Sequence, residues 1–321
     1  MLEQSQSSIS PQELSEKVVY QVEKAITGKR ESIRQAVLTL LANGHMLLED
    51  IPGVGKTTLA KAIAQSIGGE FRRIQFTPDL LPTDITGAAV YSQKDQEFHF
   101  RPGPVFGNVV LVDEVNRATP KTQSALLEAM EERQVSADGQ TRPLPKPFLV
   151  IATQNNLEMT GTYPLPEAQL DRFFSRISLG YPDRQAEADI LQSQQFGHPL
   201  QLVDQCTTLE ELQAAQAVCR SVHLHESIRF YIVDLVRATR EHALLLVGSS
   251  PRGALFLALA SQVYAAMRGS NFVRPDDVKA VAGLVLSHRI IARSEVQARG
   301  TTNLQIVEQI LASVPAPLPV E

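Results

Sequence analysis

A glycine-rich turn lies between two apolar segments in the stretch Leu47–Thr58. At Gly53 and Gly55 the absence of a Cβ atom lets backbone N–H groups approach phosphate oxygens. The adjoining Lys56 can reach the β and γ phosphates of a nucleotide, and the Thr57 hydroxyl can bind Mg²⁺. The pattern predicts a phosphate-binding loop at the start of a helix, where the helix dipole also favours an anion. The predicted nucleotide contacts are Pro52, Gly53, Val54, Gly55, Lys56, Thr57 and Thr58.

The loop departs from the strict phosphate-loop pattern at its first position. Asp50 stands where that pattern has a glycine, five residues before Gly55. An ordinary strand-to-helix turn is therefore an alternative. The strand–loop–helix context favours the phosphate loop, because Leu59, Ile63 and Ile67 give the segment after the loop the apolar face of a helix.

Two adjacent carboxylates end the apolar run that starts at Asn108. Asp113 is suited to hold Mg²⁺ through water, and Glu114 to polarise a water molecule that attacks a phosphate. A strand that simply meets solvent is the alternative, since acidic residues are common at turns. The phosphate loop upstream favours the catalytic interpretation.

An amide side chain follows a further apolar run, Phe148–Ala152. Ligands of open α/β sheets bind at the carboxyl ends of the strands, so Asn155 is predicted to orient water against the γ phosphate. The alternative is a turn residue that bonds to its own backbone.

A cation at the start of a helix is another candidate for a phosphate contact. Ser250 is placed to cap a helix and Pro251 to be its first residue, so Arg252 falls in the first turn. A cation there opposes the helix dipole at a cost of about 0.3–1 kcal/mol, which favours a nearby anion. We predict that Arg252 contacts a phosphate from the helical part of the chain, with a surface ion pair as the alternative.

Arg172 lies just before a short strand-like run that ends at Leu179. The planar arginine fork stays charged and can bind two phosphate oxygens at once. From this position Arg172 could project towards the nucleotide of a neighbouring subunit. An ion pair with Asp171 or Asp183 is the alternative, and Arg176 is a rival for the same role.

The elements that must position these residues divide the chain in two. Up to about Leu179, short apolar runs alternate with helical periodicity, which predicts parallel strands joined by crossover helices. The candidate strands are His45–Leu48, Phe71–Phe76, Val109–Val112, Phe148–Ala152 and Arg176–Leu179. Beyond Asp183, amphipathic segments predict a bundle of helices. The candidate helices are Gln185–Gln195, Leu209–Val222, Ser227–Glu241, Pro251–Arg268, Pro275–Arg289 and Asn303–Ser313.

The predicted fold is therefore of the α/β class. A parallel-sheet αβα nucleotide-binding domain, residues 1–182, is followed by a small all-helical lid domain, residues 183–313. The proline-containing step Tyr181–Asp183 is the expected boundary. Three prolines in residues 314–321 predict a flexible tail.

Composition limits the classes of function. The net charge is −5 and no basic cluster is longer than a dipeptide, which disfavours nucleic acid as a partner. Cys206 and Cys219 fit neither a disulfide framework nor a metal site. The opening of the chain lacks the pattern of a secretory signal, and no stretch approaches the ~18 apolar residues that span a membrane. We therefore expect a cytoplasmic protein without a membrane anchor.

With these residues in place, the sequence from about residue 22 to residue 290 resembles the MoxR family of AAA+ ATPases. The stretches that carry the resemblance are Leu48–Thr57, Arg101–Pro104, Val112–Ala118 and Gly161–Phe173. The resemblance implies that Lys56 and Thr57 belong to the Walker A motif, Asp113 and Glu114 to Walker B, Asn155 to sensor 1, Arg172 to the arginine finger and Arg252 to sensor 2. It also implies that Gly28 lies near the adenine and that Asp50 is a tolerated variant. Asn156 stands where many relatives have proline.

The resemblance further implies ATP and Mg²⁺ as cofactors and a homo-oligomeric ring, expected to be a hexamer. It implies a β-hairpin insertion at Gly87–Val105 and a partner with a von Willebrand factor A (VWA) domain. The alternation in Phe98–Phe100 and the polar stretch Ser92–Gln96 suit a hairpin, with or without a role in binding a client protein.

The predicted function is ATP hydrolysis at the junctions of the ring, coupled to remodelling or activation of client proteins, with metal or cofactor insertion as one form of that activity. Three alternatives remain: a nucleotide-dependent scaffold or switch without significant turnover, a nucleic-acid motor, and a subunit similar to those of magnesium chelatase. The presence of both Asp113 and Glu114 argues against the switch, and the acidic net charge argues against the nucleic-acid motor.

Overall fold

The structure is a computed structural model that describes residues 9–154, 162–194 and 197–317. Its α-helices are α1 (Pro11–Glu23), α2 (Arg30–Leu41), α3 (Lys56–Ser66), α4 (Pro82–Thr86), α5 (Pro120–Glu132), α6 (Glu167–Leu170), α7 (Arg184–Gln194), α8 (Leu209–Ser221), α9 (Glu226–Glu241), α10 (Pro251–Met267), α11 (Pro275–Leu286), α12 (Ser294–Ala298) and α13 (Asn303–Ser313). Its strands are β1 (Met46–Glu49), β2 (Phe71–Gln75), β3 (Gly87–Ser92), β4 (Glu97–Pro102), β5 (Val109–Asp113), β6 (Gln134–Ala137), β7 (Gln140–Pro143), β8 (Leu149–Gln154), β9 (Ser175–Ile177), β10 (Leu245–Val247) and β11 (Ile291–Ala292).

The main sheet is parallel, with the strand order β2-β5-β8-β1-β9 within the described residues. Alternate residues of each central strand enter different apolar clusters, as Leu111 and Ile151 do on one face and Val110 and Val150 on the other. Both faces are therefore covered, which explains why these strands are almost entirely apolar. The predicted α/β class with a parallel sheet is confirmed.

The predicted strands of this sheet agree with the observed ones to within two residues at each end. Short runs rich in Val, Ile and Leu leave little choice of conformation when they are bounded by turn residues. The strand order, by contrast, comes from the crossover connections and could not be predicted from the runs themselves.

Helices dominate the chain beyond Asp183, as predicted, and the structure adds a short antiparallel pair, β10 with β11. The helix predicted at Gln185–Gln195 corresponds to α7, although Gln195 lies outside the described residues. In the tail, Val314 and Ala316 pack against the apolar core, and residues 318–321 also lie outside the described residues.

Two β-hairpins stand beside the main sheet. The region predicted as an insertion contains β3 and β4, which pair in register from Gly87 with Pro102 to Ser92 with Glu97. A second hairpin, β6–β7, is absent from the sequence-based prediction. The two hairpins are joined because the Asp138 carboxylate accepts a hydrogen bond from the Ala89 N–H (3.1 Å) and the Arg142 guanidinium lies 3.8 Å from the Phe100 ring centre.

The first helices share their core with the later ones. Helix α1, which is also absent from the sequence-based prediction, contacts α2, α3, α8 and α10. Its apolar side chains Leu14, Val18 and Val22 recur every four residues and are fully buried. The Ser10 side chain caps its N-terminus by accepting a hydrogen bond from the Glu13 N–H (3.1 Å). The domain boundary at Tyr181–Asp183 stays a prediction, and α1 and α2 bind the parts on either side of it together.

Among the helices of the described ranges, none is both long enough and apolar enough to cross a membrane.

The shared core predicts that α1 contributes strongly to stability. We expect Leu14→Ala to lower the free energy of unfolding by about 2–5 kcal/mol, because the substitution leaves a cavity among α1, α3 and the later helices. Tyr20→Ala on the exposed face of α1 is the control and should cost at most about 1 kcal/mol. Denaturant unfolding followed by circular dichroism measures both, and an unchanged midpoint for Leu14→Ala would show that α1 is not part of the core.

Candidate active site

The phosphate loop connects the carboxyl end of β1 to the amino end of α3. Gly53 and Gly55 have φ angles of 86° and 95°, in the left-handed region that other residues rarely adopt. Gly55 is the residue that caps α3, so the N-terminus of this helix opens directly onto the loop. The loop thus offers backbone N–H groups and a positive dipole end to an anion.

Lys56 folds back onto the loop. Its Nζ donates hydrogen bonds to the carbonyl oxygens of Asp50 (2.8 Å) and Ile51 (3.1 Å). Burial lowers the pKa of Lys56, and the carboxylates of Asp50, Asp113 and Glu114 oppose that shift. A phosphate would replace two neutral acceptors with charged ones, which is the stronger interaction for an ammonium group.

Asp50, the departure from the strict loop pattern, has a structural role. Its carboxylate accepts hydrogen bonds from the Ser178 hydroxyl (3.1 Å), the Gly180 N–H (3.0 Å) and the Leu179 N–H. These donors follow β9 directly, so Asp50 ties the start of the phosphate loop to the segment that leads into α7. A glycine at this position would leave the two N–H groups without this acceptor.

The two carboxylates at the end of β5 are held in different ways. Asp113 is buried, and its oxygens accept from the Thr153 hydroxyl (3.2 Å) and pair with the Arg73 Nε (2.7 Å). Glu114 adopts a left-handed backbone conformation with φ 57° and ψ 51°. Such a conformation costs a non-glycine residue of the order of 1–3 kcal/mol.

Neighbouring side chains fix the orientation of Glu114. Its backbone N–H donates to the Thr153 hydroxyl (3.0 Å), while its carboxylate oxygen Oε2 accepts from Gln75 Nε2 (2.9 Å) and pairs with Arg117 Nε (3.0 Å). Arg73 and Gln75 are functional candidates that the sequence analysis missed. The two residues are placed near the carboxylates by strand pairing, because Gln75 of β2 is the direct partner of Asp113 in β5. The sequence does not show that these two strands are neighbours.

These groups converge on one cleft of about 360 Å³. The predicted residues that line it are Pro52, Gly53, Gly55, Lys56, Thr57, Thr58, Asp113 and Glu114. The side chain of Val54 instead packs against the apolar core, so a contact of this residue with phosphate would come from its backbone. The Thr57 hydroxyl and the Asp113 carboxylate bring two oxygen ligands of the kind that Mg²⁺ prefers to the same cleft, so these residues fit a magnesium ion.

Gly28 belongs to the connection between α1 and α2, next to the loop. A Cβ atom on Gly28 would lie 2.9 Å from the Ala186 Cβ of α7, and one on Gly55 would lie 3.1 Å from the Ile26 Cδ1. This connection therefore lies between the phosphate loop and the start of α7. The predicted location of Gly28 near a base is compatible with this geometry. Asn155 and Asn156 lie outside the described residues.

The two predicted phosphate-binding arginines lie together at the opposite edge of the sheet. The Phe174 N–H donates to the His45 carbonyl (2.8 Å), so the segment containing Arg172 is beside the start of β1. The carboxylate of Glu131, near the end of α5, pairs with Arg172 Nε (3.2 Å) through one oxygen and with Arg252 NH2 through the other. Arg252 does not line the cleft that contains Lys56, so its contact with a phosphate stays a prediction.

Asp171 anchors this cluster to the later helices. Its carboxylate accepts a hydrogen bond from Ser250, the residue that caps α10 (2.8 Å). Arg289 Nε lies 3.0 Å from the other oxygen, an ion pair without the alignment of a hydrogen bond. Burial lowers the pKa of Arg289 to about 10, an effect that Asp171 opposes and Arg252 reinforces. Arg176, the rival of Arg172, pairs with Glu49 at the end of β1 (3.2 Å).

A parallel sheet with a phosphate loop and an Asp–Glu pair at its carboxyl edge defines a P-loop ATPase. Residues 45–175 match the model of the ATPase family associated with various cellular activities (AAA), and residues 237–310 match that of the AAA lid domain. The chain belongs to the MoxR family of AAA+ ATPases and is an ATP-hydrolysing enzyme.

Three relatives and one solved structure illustrate the similarity. The chain is 46% identical to an uncharacterized protein, YeaC, of Bacillus subtilis, over 94% of both chains. It is 40% identical to Chaperone MoxR1 of Mycobacterium tuberculosis, over 94% of this chain and 82% of that protein. Identity to Protein MoxR of Methylorubrum extorquens is 30%, over 92% and 93%. A putative ATPase from Cytophaga hutchinsonii superposes with a TM-score of 0.89 at 38% identity, over 96% of each chain.

The hydrogen bonds of Asp50 predict a loss of stability when its carboxylate is removed. Asp50→Ala should lower the free energy of unfolding by about 1–3 kcal/mol, because two backbone donors lose a charged acceptor. Asp50→Asn keeps an acceptor oxygen and should lose less. Denaturant unfolding measures both variants, and equal stabilities of the alanine variant and the unchanged protein would contradict the role given to Asp50.

The Thr153 hydroxyl donates to the Asp113 carboxylate and accepts from the Glu114 N–H, so it is expected to affect turnover. Thr153→Val keeps the shape of the side chain but leaves the Glu114 N–H without its acceptor, and we expect kcat for ATP hydrolysis to fall about tenfold. Thr153→Ser retains the hydroxyl and should stay within roughly twofold of the unchanged protein. Phosphate release at saturating ATP is the measurement, and equal rates for the valine and serine variants would remove this role.

Proposed function

We propose that this chain is a subunit of a ring of identical copies in which each ATP is bound and hydrolysed between two neighbours, and that the ring remodels client proteins. The separation of the catalytic groups within one chain is the observation that carries this proposal. The cleft of Lys56 and Glu114 is at the carboxyl edge of the sheet, whereas Arg172 and Arg252 are at the amino edge.

The sheet keeps these groups apart. Strand β5 has five residues, and a strand of that length spans about 17 Å. A guanidinium at the amino edge is therefore too far away to contact the phosphates of a nucleotide bound in the cleft of the same chain. A head-to-tail contact between copies brings the amino edge of one to the carboxyl edge of the next, and repetition of that contact closes a ring. A hexamer is the proposed size, by analogy with the family.

Within the cleft, the roles follow from geometry. The loop N–H groups and Lys56 would neutralise the β and γ phosphates, and Glu114, held by Gln75 and Arg117, would orient and polarise the attacking water. Thr57 and Asp113 would hold Mg²⁺, which screens the phosphate charge. We keep Asn155 as the residue that assists in orienting water.

The neighbouring copy would supply an arginine that contacts the γ phosphate and stabilises the charge that builds up there during hydrolysis. Arg172 is proposed as the arginine finger in preference to Arg176, because Arg176 is engaged by Glu49 close to the loop of its own chain. The pairing of Arg172 and Arg252 with one carboxylate supports a joint role, in which both reach the same neighbouring nucleotide.

The remaining assignments rest on the family. Gly28 is proposed to adjoin the adenine, and the boundary between the αβα domain and the lid is proposed at residues 182 and 183. A client or cofactor protein with a VWA domain and a cytoplasmic location are also proposed. The exposed aromatic side chains Tyr91 and Phe98, which pack together on the β3–β4 hairpin, support contact between this hairpin and a client.

Mixing of inactive variants tests the shared site. The Arg172→Ala variant lacks the arginine but has an intact cleft. The Glu114→Gln variant lacks the catalytic carboxylate but still binds ATP and has intact arginines. Each variant alone should lose most of its hydrolysis. In an equal mixture about a quarter of the junctions combine an intact cleft with an intact arginine, so phosphate release should recover towards about a quarter of the rate of the unchanged protein.

Two controls accompany the mixture. Light scattering verifies that each variant assembles with ATP, and Lys56→Ala, which removes the ammonium group of the phosphate loop, should bind ATP weakly and hydrolyse none of it. Assembled mixtures that show only the sum of their separate rates would disprove catalysis between neighbours.

A further inference from the structure

The arginine cluster at the amino edge of the sheet contains a carboxylate, that of Glu131. Glu131 is the only described carboxylate that pairs with either Arg172 or Arg252, and it pairs with both. The two arginines come from distant parts of the chain, one before β9 and the other in the first turn of α10. Glu131 is therefore the group that joins them.

The charges explain why such a group is needed. Two guanidinium groups that approach one another repel. A carboxylate between them offsets that repulsion because it attracts both groups. Each oxygen of Glu131 takes one arginine, so neither fork is bound on two nitrogens as in a bidentate pair. The terminal nitrogens of Arg172 have no hydrogen bond within the described residues, and they remain available to a phosphate.

The position of Glu131 in its helix also indicates a role outside that helix. The carboxylate lies in the last turn of α5, where the helix dipole disfavours a negative charge. Glu131 is about one third exposed, and so are both arginines. The cluster is thus close enough to the surface for a ligand from outside the chain, and its carboxylate does not serve to stabilise α5.

We propose that Glu131 is a positioning residue that holds Arg172 and Arg252 side by side, so that they bind the triphosphate of a neighbouring copy as a pair. This inference rests on the proposed shared site. In the paired arrangement both guanidinium groups are already oriented before a nucleotide binds, so less conformational entropy is lost on binding. The carboxylate acts through the arginines and makes no contact with the nucleotide itself.

Loss of the carboxylate charge should lower turnover. We expect Glu131→Gln to reduce kcat for ATP hydrolysis about tenfold, with KM for ATP changed less than about threefold because the cleft of the same chain is intact. Glu131→Asp retains the charge and should recover part of the loss. Glu132→Gln removes a charge from the next residue of α5, which has no ion pair in the described structure, and should hydrolyse ATP normally.

A double-variant comparison separates positioning from a structural effect. When Arg172 and Arg252 are both replaced by alanine, Glu131 has nothing left to hold, so adding Glu131→Gln should change the residual rate by less than about twofold. A tenfold loss in that background would show that Glu131 acts elsewhere, and the inference would be overturned. A Glu131→Gln variant with increased turnover would also overturn it, since Glu131 would then compete with phosphate for the arginines.

Mixing distinguishes this inference from the shared site itself. Glu131→Gln combined with Glu114→Gln should recover activity, as Arg172→Ala combined with Glu114→Gln does, because the intact arginines come from the Glu114→Gln copy. Recovery with Arg172→Ala but not with Glu131→Gln would refute the role of Glu131 and leave the shared site standing. Recovery with neither would refute the shared site.

Discussion

The direction of the parallel sheet is the constraint on which the chemistry of this protein depends. Because all strands of the main sheet run the same way, every loop that follows a strand lies at one edge and every segment that precedes a strand lies at the other. The phosphate loop and the Asp113–Glu114 pair follow strands, whereas Arg172 precedes one. The strand length then separates the phosphate loop from Arg172, and the proposed ring would bring them together from two copies.

The packing of the helices turns this arrangement into a connected unit. The core that covers one face of the sheet continues into α8 and α10, with α1 and α2 between them. At the amino edge, Asp171 is bound to the cap of α10 and to the buried Arg289. At the carboxyl edge, Asp50 links the loop to the segment before α7. A shift of the loop on nucleotide binding would therefore reach the helices through fixed contacts rather than through a flexible linker.

Some features could be predicted from the sequence because their causes are local. The strands of the sheet needed only short apolar runs between turn residues, and the phosphate loop needed only glycines before a lysine. Helix α1 could also have been predicted from the sequence. Ser10, Pro11 and Glu13 form a helix start signal, and the residues after them carry an apolar stripe at Leu14, Val18 and Val22. Arg73 and Gln75 were not, because their link to the carboxylates depends on the pairing of β2 with β5.

The sequence by itself determined the fold class, the glycine-rich loop before Lys56 and the two carboxylates at the end of β5, since each is set by residues close together in the chain. Only the tertiary structure decided where Arg252 lies, what Asp50 does and which carboxylate joins the two arginines. Glu131 and Arg252 are 121 residues apart, and their contact depends on how α10 packs against the amino edge of the sheet. Contacts of that kind leave no local pattern, because many sequences satisfy the helix period and only one packing brings these side chains together.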